Sequence, residues 1–489
     1  MPRLRTIQLA LLMVSVATWA VAQDNSQQQG AAPAPAFGQN APVLNPENPP
    51  LSGIDEPGLE LKTAGRSFIS PAILVSETAD SNENNQLGAS AVHPVEHVLG
   101  ALDLQKFWSK SDLFLEYLGG GAFQTVPTYQ AKQLEAVGFE GVTRWRTGYV
   151  ELRDSFSYIP DGSFSTGAAG GIPGLGIALG GLGTGEAGGG LPGILNFNNA
   201  GVEVVGQVPR IANTAIGSVI QAISPRSAVT VLGAFANTHY FDPKNCSGPL
   251  SLQTNCLLNS DQTTAEVGYS HLLSRRDQIA GVYAFQIFRF PYPDGGEMYN
   301  NAFNVRWSHT ITGRMQLILG VGPQYTDLRF GNRSTQWSVS GRAILRYQFE
   351  HSSLVASWEK FTSAGSGYFA GANTQAAQLA YSRALGRTYR LNLVASYSHD
   401  DSLQSLQSVP FLTATSATSY NSGTATASLR KHIGRTYDLF TSFGFNEVEF
   451  NAANTTNCGS PNGIGCGSIA RRYTGSIGLE WHPKATRIE

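Results

Sequence analysis

The chain has 489 residues, a formal net charge of −2 and 14% charged residues, against roughly 25% in an ordinary soluble domain. Apolar residues make up 42%, so the missing charge is replaced by small polar residues and 54 glycines. That balance argues against a charged disordered chain, against a helical transporter built from apolar runs of about 20 residues, and against a nucleic-acid binder, which needs a basic excess to neutralise phosphates. It leaves an exported, β-rich protein with a large wet surface.

Residues 1–22 (MPRLRTIQLALLMVSVATWAVA) read as a secretory signal peptide. Arg3 and Arg5 form a positive start, Ile7 to Trp19 an apolar core short for a membrane span, and Ala20-Val21-Ala22 a small-x-small cleavage site before Gln23. Residues 23–65 are rich in Gln, Ala, Pro and Asn. Such a composition cannot bury enough apolar surface to order itself, so a disordered periplasmic tail is expected, too short for a plug domain.

From residue 66 to residue 481 the chain alternates with period two. Met315, Leu317, Leu319, Val321 and Tyr325 oppose Gln316, Gly320, Gly322 and Gln324. Trp337, Val339, Gly341, Ala343, Leu345, Tyr347 and Phe349 oppose Ser338, Ser340, Arg342, Ile344, Arg346 and Gln348, and Tyr389, Leu391, Leu393, Ala395 and Tyr397 repeat the pattern. Successive side chains of a strand point to opposite faces, so these are two-faced strands with one apolar face and one polar face.

Residues 162–195 interrupt the strands with a long Gly-rich insertion. It is expected either to fold into a barrel lumen as a pore constriction or to remain an outer loop. Two loop-like segments carry the four cysteines, NCSGPLSLQTNC with Cys246 and Cys256, and NCGSPNGIGC with Cys458 and Cys466. In an exported protein two close pairs suggest two local disulfides; neither pair has metal-ligand spacing or a nearby His.

Short links join the strands at Ser274-Arg275-Arg276, Thr312-Gly313-Arg314, Glu350-His351-Ser352, Leu385-Gly386-Arg387 and Ile433-Gly434-Arg435, with less marked ones at Ser224-Pro225-Arg226, Arg144-Trp145-Arg146 and Trp108-Ser109-Lys110. The clear links recur every ~35–48 residues, each interval holding two long strands and one longer polar loop. A propeller blade would pack four short strands into that length. Eight short turns need nine hairpins, hence 18 strands, with 16 acceptable because pairing before residue 225 is weakly marked.

An apolar outer face around a polar inner face inverts a soluble sandwich. In hydrocarbon every backbone N–H and C=O must pair within the protein, and a closed barrel does this without edges. Short turns on one side, long loops on the other and aromatics toward strand ends (Tyr283, Trp307, Tyr325, Tyr347, Trp358, Tyr381, Tyr397, Tyr437, Trp481) complete the signature of a transmembrane barrel. The expected fold is an all-β, transmembrane antiparallel up-and-down β-barrel of about 16–18 strands in a bacterial outer membrane.

With the leader, the hairpins and the last alternating segment, Tyr473-Thr474-Gly475-Ser476-Ile477-Gly478-Leu479-Glu480-Trp481, the chain resembles the porin-like outer-membrane β-barrel proteins. That segment is similar to the C-terminal signal read by the barrel-assembly machinery of the family, although His482 to Glu489 follow the aromatic as a C-terminal tail. The resemblance implies outer-membrane lipid, that machinery and small polar solutes as partners. No cofactor is implied.

The parity that turns apolar residues outward turns Arg153, Arg306, Arg342, Arg346, Arg390 and Arg430 inward, with Glu116, Glu151, Glu266, Glu359 and Glu480. Rings of charge set the ion preference of a pore; alternatively these groups pair across strands and stabilise a wet wall. No enzyme is expected. His399-Asp400-Asp401 is a lone tripeptide at a strand exit, and no GxSxG segment is present. His93 and His97 would share one strand face, but two ligands are not a metal site. The function expected is an outer-membrane channel through a water-filled lumen. The alternative is a non-conducting surface barrel acting as receptor, adhesin or export-complex component through its loops.

Overall fold

The computed structural model describes residues 67–81, 92–124, 130–159, 210–241, 259–291, 296–330, 332–349, 351–365, 371–386, 388–403, 417–434, 436–452, 469–484 and 486–488. They form β1 (Phe68–Asp80), β2 (His93–Phe107), β3 (Ser111–Gln124), β4 (Gln130–Trp145), β5 (Gly148–Ile159), β6 (Arg210–Ser224), β7 (Ser227–Tyr240), β8 (Ser260–Leu272), β9 (Asp277–Phe290) and β10 (Gly296–Thr312). They continue as β11 (Met315–Phe330), β12 (Asn332–Gln348), β13 (Ser352–Ser363), β14 (Ala372–Leu385), β15 (Tyr389–Ser402), β16 (Ala417–Ile433), β17 (Tyr437–Ala452), β18 (Ile469–Trp481) and the two-residue β19 (Thr486–Arg487).

Each of the first 18 strands pairs antiparallel with its neighbours in sequence. β1 then pairs with β18, from Ile73 opposite Trp481 to Asp80 opposite Thr474, and the sheet closes. Among the described residues no long strand is left with an unpaired edge, which is what a membrane demands of a spanning sheet. Eighteen strands about 4.8 Å apart and tilted about 40° make a wall of roughly 18 Å radius, wide enough for an aqueous interior. The strands are 12 to 17 residues long, longer than the ~9–11 a bilayer needs, so they project beyond it.

Alternation is visible in the burial of the wall. Along β1, Ala72, Leu74, Ser76, Thr78 and Asp80 are buried while Ile73 and Val75 are exposed. The outer surface carries Val98, Val137, Leu152, Val231, Val267, Val305, Leu319, Val321, Ile477 and Leu479. An apolar belt of this extent far exceeds the few hundred Å² that a soluble monomer exposes, and it suits hydrocarbon. Tyr389, Tyr437 and Trp481 stand beside the short links, and toward the other end Tyr325 meets Trp337 with ring centroids 5.1 Å apart.

Local chemistry makes the short links. Gly386 and Gly434 adopt φ of 70° and 73°, a left-handed backbone that a Cβ disfavours. In the link at Ser274 the hydroxyl accepts the amides of Arg276 and Asp277, each at 3.0 Å. All eight expected links fall at strand junctions; the one near Trp145 lies a residue later, since β4 runs to Trp145 and β5 starts at Gly148.

Three features depart from expectation. The connections on the opposite side are not uniformly long: β11 ends at Phe330 and β12 begins at Asn332. Asp327 grips that hairpin, accepting from Arg329 at 3.1 Å and from Arg333 at 2.9 Å. The inner face is also not uniformly polar. Ala72, Leu74, Val95, Leu99, Ala101, Leu118, Ala122, Leu134 and Ala136 of β1 to β4, with Phe440 of β17, form a buried apolar patch inside the wall. Finally, the C-terminal tail is partly built in, because Thr486 and Arg487 pair with Ile69 and Phe68.

Candidate functional site: the charged lumen

The inner face of β8 to β13 carries the main charge constellation. Arg306, Gly320, Arg342 and Glu359 lie in one row across β10, β11, β12 and β13. Gly320 separates the two arginines; a Cβ there would meet Arg306 Cγ at 3.3 Å, so the missing side chain makes room for both. Arg342 Nε lies 2.9 Å from Glu359 Oε1 as an ion pair. Arg306 Nη1 lies 3.5 Å from Glu266 Oε1 of β8, reached past the small residues Ala284 and Ala302 that share the row of Glu266. All four side chains are buried. Two positive charges side by side are flanked by two negative ones along the wall, and the four sum to zero.

Neutral polar groups continue this belt. Asn300 donates to Gln286 at 2.7 Å, Thr326 donates to Asn300 at 3.2 Å, Ser340 donates to Asn304 at 2.7 Å, and Gln324 donates to Thr362. Glu266, Gln286, Asn300, Asn304, Arg306 and Thr362 border one cavity. Such a surface can replace the hydrogen bonds of a hydrated polar solute.

A second cluster sits at the short-turn end. Arg430 donates to Asp438 at 3.1 Å and to Glu480 at 2.7 Å. Arg390 lies opposite Arg430 in the register of β15 and β16. His432, opposite Asp438 across the β16–β17 turn, hydrogen-bonds one oxygen of that carboxylate, and His482 Nε2 approaches the other at 3.4 Å. Nitrogen and oxygen atoms of His432, Asp438 and His482 lie within 4.8 Å of one another.

A third cluster locks the barrel seam. Arg472 of β18 makes a buried, forked contact with Asp80 of β1, with Nε 3.0 Å from each carboxylate oxygen. Thr78 and Ser476 share a hydrogen bond of 2.9 Å in the same seam.

Opposite the short turns, residues flanking the end of β13 and the start of β14 pack against the inner face. Ala364 joins Phe288, Phe290, Met298 and Leu328 in an apolar cluster on the inner face of β9 to β11, with Phe330 and Leu403 against it. A Cβ on Gly371 would lie 2.8 Å from Met298 Sδ, although Met298 is on β10 and Gly371 leads into β14. The two described ends of the connection, Ala364 and Gly371, therefore lie against the inner face.

The other sequence candidates fall as follows. Arg153 lies 3.6 Å from Glu140 and also contacts Glu151. Arg346 donates to Gln316 at 3.4 Å. Glu116 is on β3, and its side chain lies outside the described residues, as do Cys246, Cys256, Cys458, Cys466, the leader, the N-terminal tail and the Gly-rich segment. His399 and Asp400 face opposite sides: His399 bonds Asp401 and Asn421, while Asp400 is buried inside with Thr374 and Ser398. His93 and His97 are four residues apart on one strand, about 13 Å, too far to share an ion. Sequence reasoning missed Asp80, Arg472, His432, Asp438 and His482. The His432–Asp438 pair had a legible signal, since the two residues flank the Gly434 turn symmetrically. The Asp80–Arg472 pair had none, because it needs the closing register.

The closed sheet, its apolar belt and its polar, charged interior define a multi-pass transmembrane β-barrel of the outer-membrane type. No family model matches the chain, and no curated protein matches it. Among solved structures it is similar to the FrpB iron transporter from Neisseria meningitidis (F5-1 variant), at 9% identity and a TM-score of 0.41, over 86% of this chain and 70% of that one. It is similar to Pseudomonas aeruginosa OccK2 (OpdF) in complex with glucuronate, at 10% identity and a TM-score of 0.36, over 85% and 97% of the two chains. A third is the ferric-catecholate import receptor Fiu from E. coli K12, at 9% identity and a TM-score of 0.37, over 86% and 82%.

Proposed function

We propose that this chain is a porin-like channel through which small polar solutes diffuse across the outer membrane. The observation that carries the reading is the neutral belt of Arg306 and Arg342 flanked by Glu266 and Glu359 on the inner wall of an 18-stranded barrel. A wall that presents both signs of charge beside amide and hydroxyl groups favours dipolar and zwitterionic solutes over bulk apolar ones. Residues 1–22 act as the export signal and residues 23–65 as a periplasmic tail, while the Gly-rich segment 162–195 contributes a constriction. Cys246–Cys256 and Cys458–Cys466 brace outer loops as disulfides, and the barrel-assembly machinery inserts the chain into outer-membrane lipid.

Liposome swelling tests this directly. Refolded protein in vesicles should admit neutral sugars and amino acids at rates that fall with solute size. Folded, heat-modifiable protein that admits none of them would overturn the channel reading. Deleting residues 165–192 should then raise the rate for the larger solutes, and an unchanged rate would remove that segment from the pore.

A second reading, a closed barrel serving as a surface receptor, is favoured by one observation. The inner face of β1 to β4 carries an apolar patch around Leu99, Leu118 and Leu134, which offers a passing polar solute no hydrogen bond. Absence of swelling together with intact folding would favour it.

A further inference from the structure

We propose that His432, Asp438 and His482 form a divalent transition-metal site at the short-turn end of β16, β17 and β18. The three residues come from three consecutive chain segments, and backbone hydrogen bonds hold each in place. His432 N donates to Thr388 O at 2.8 Å and His482 N to Thr436 O at 2.9 Å, while Asp438 is paired in register with both His432 and Glu480. The rings are thereby aimed at a carboxylate with no solvent exposure. Their donor atoms already lie within 4.8 Å of one another, so closing onto an ion at about 2.0–2.2 Å requires only side-chain adjustment.

Two buried polar atoms of the cluster make no hydrogen bond within the protein. His482 Nε2 is buried and makes no hydrogen bond, although it faces Asp438 Oδ2 at 3.4 Å. Glu480 is 1% exposed; its Oε2 is satisfied by Arg430, but its Oε1 is buried with no hydrogen-bond partner. Buried groups of this kind are normally satisfied. A cation between the imidazoles would satisfy His482 and lie beside the second carboxylate. Asp438 and Glu480 face two guanidiniums, Arg430 bonded to both carboxylates and Arg390 opposite Arg430 in register, so the cluster is balanced and the ion would be held by its donor atoms.

The donor set selects the ion. Two neutral imidazoles and one carboxylate suit zinc and its first-row neighbours and do not suit calcium or magnesium, which take all-oxygen shells. An ion there would tie the β16–β17 turn to the end of the closing strand, so binding should stabilise the C-terminal end of the barrel.

The test uses the refolded full-length protein in detergent micelles, with zinc chloride as the probe. Equilibrium dialysis with metal analysis should find one tightly held zinc per chain, and zinc should raise the temperature at which the folded band converts to the unfolded one on a gel. His482→Gln and His432→Gln should each weaken binding at least tenfold and abolish the thermal shift. His271→Gln, remote from the cluster, should change neither. Calcium chloride should give no shift. No retained zinc in the folded wild type, or equal zinc retention and thermal shift in both His→Gln variants, would overturn the proposal. Should one variant fail to refold, the other and the wild-type stoichiometry decide the question.

Discussion

Glu359→Gln is the most informative single change in the lumen. The wild-type belt of Glu266, Arg306, Arg342 and Glu359 is neutral. The amide keeps the size of the side chain beside Arg342 but removes one negative charge, leaving the belt at +1. In a water-filled lumen a unit charge acts on a monovalent ion about 6 Å away with about 0.7 kcal/mol. The effect has opposite sign for cation and anion, so their ratio moves by about 1.4 kcal/mol, or tenfold. Screening over a Debye length of about 8 Å roughly halves the energy and leaves about threefold. The reversal potential in a salt gradient across a planar bilayer should therefore shift toward anion preference by a factor of about three to ten. Discrete conductance steps with an unchanged reversal potential would refute the placement of Glu359 beside the permeating ions.

Four further outcomes follow from other parts of the barrel. Asp80→Ala removes the buried partner of Arg472 at the seam and should cost about 3–5 kcal/mol, read as a lower urea midpoint; adding Arg472→Met should recover much of that loss, and a double variant no more stable than the single would contradict it. Gly434→Ala forces a Cβ into a φ of 73° and should destabilise by about 1–2 kcal/mol in the same assay, whereas a neutral change would show that the turn relaxes. Val321→Arg places a charge on the exposed mid-strand face of β11 and should cost about 2–4 kcal/mol if that face meets the bilayer midplane; equal stability in vesicles would remove this face from lipid. Met298→Cys with Gly371→Cys should form a disulfide detectable by mass spectrometry of the linked peptides, and two freely alkylated thiols would contradict the contact between Gly371 and Met298.

Much of the barrel was legible because a wall one strand thick exposes its logic in every other residue. Leu319 and Val321 face out and Gly320 and Gln324 face in, and hydrophobic period alone separates them. Short links such as Leu385-Gly386-Arg387 carry their own turn chemistry, so the strand count could be reached before any pairing was known. Parity also turned Arg306, Arg342, Glu266 and Glu359 to the same side. It could not say which of them meet, because shear slides neighbouring strands: Arg306 reaches Glu266 diagonally, past Ala284 and Ala302, rather than straight across. The apolar inner patch of β1 to β4 was hidden for a different reason. Leu74 and Leu99 sit between Ile73, Val75 and Val98, so both faces are apolar and the alternation that marks the later strands is faint. The packing of Ala364 and Gly371 beside Met298 depends on contacts between strands distant in sequence, which no local pattern encodes.

The most direct test of the central claim is single-channel recording of the purified wild-type protein in a planar lipid bilayer. An open 18-stranded lumen predicts discrete, ohmic conductance steps whose size scales with salt concentration. Stable insertion of folded protein without any steps would contradict the water-filled channel.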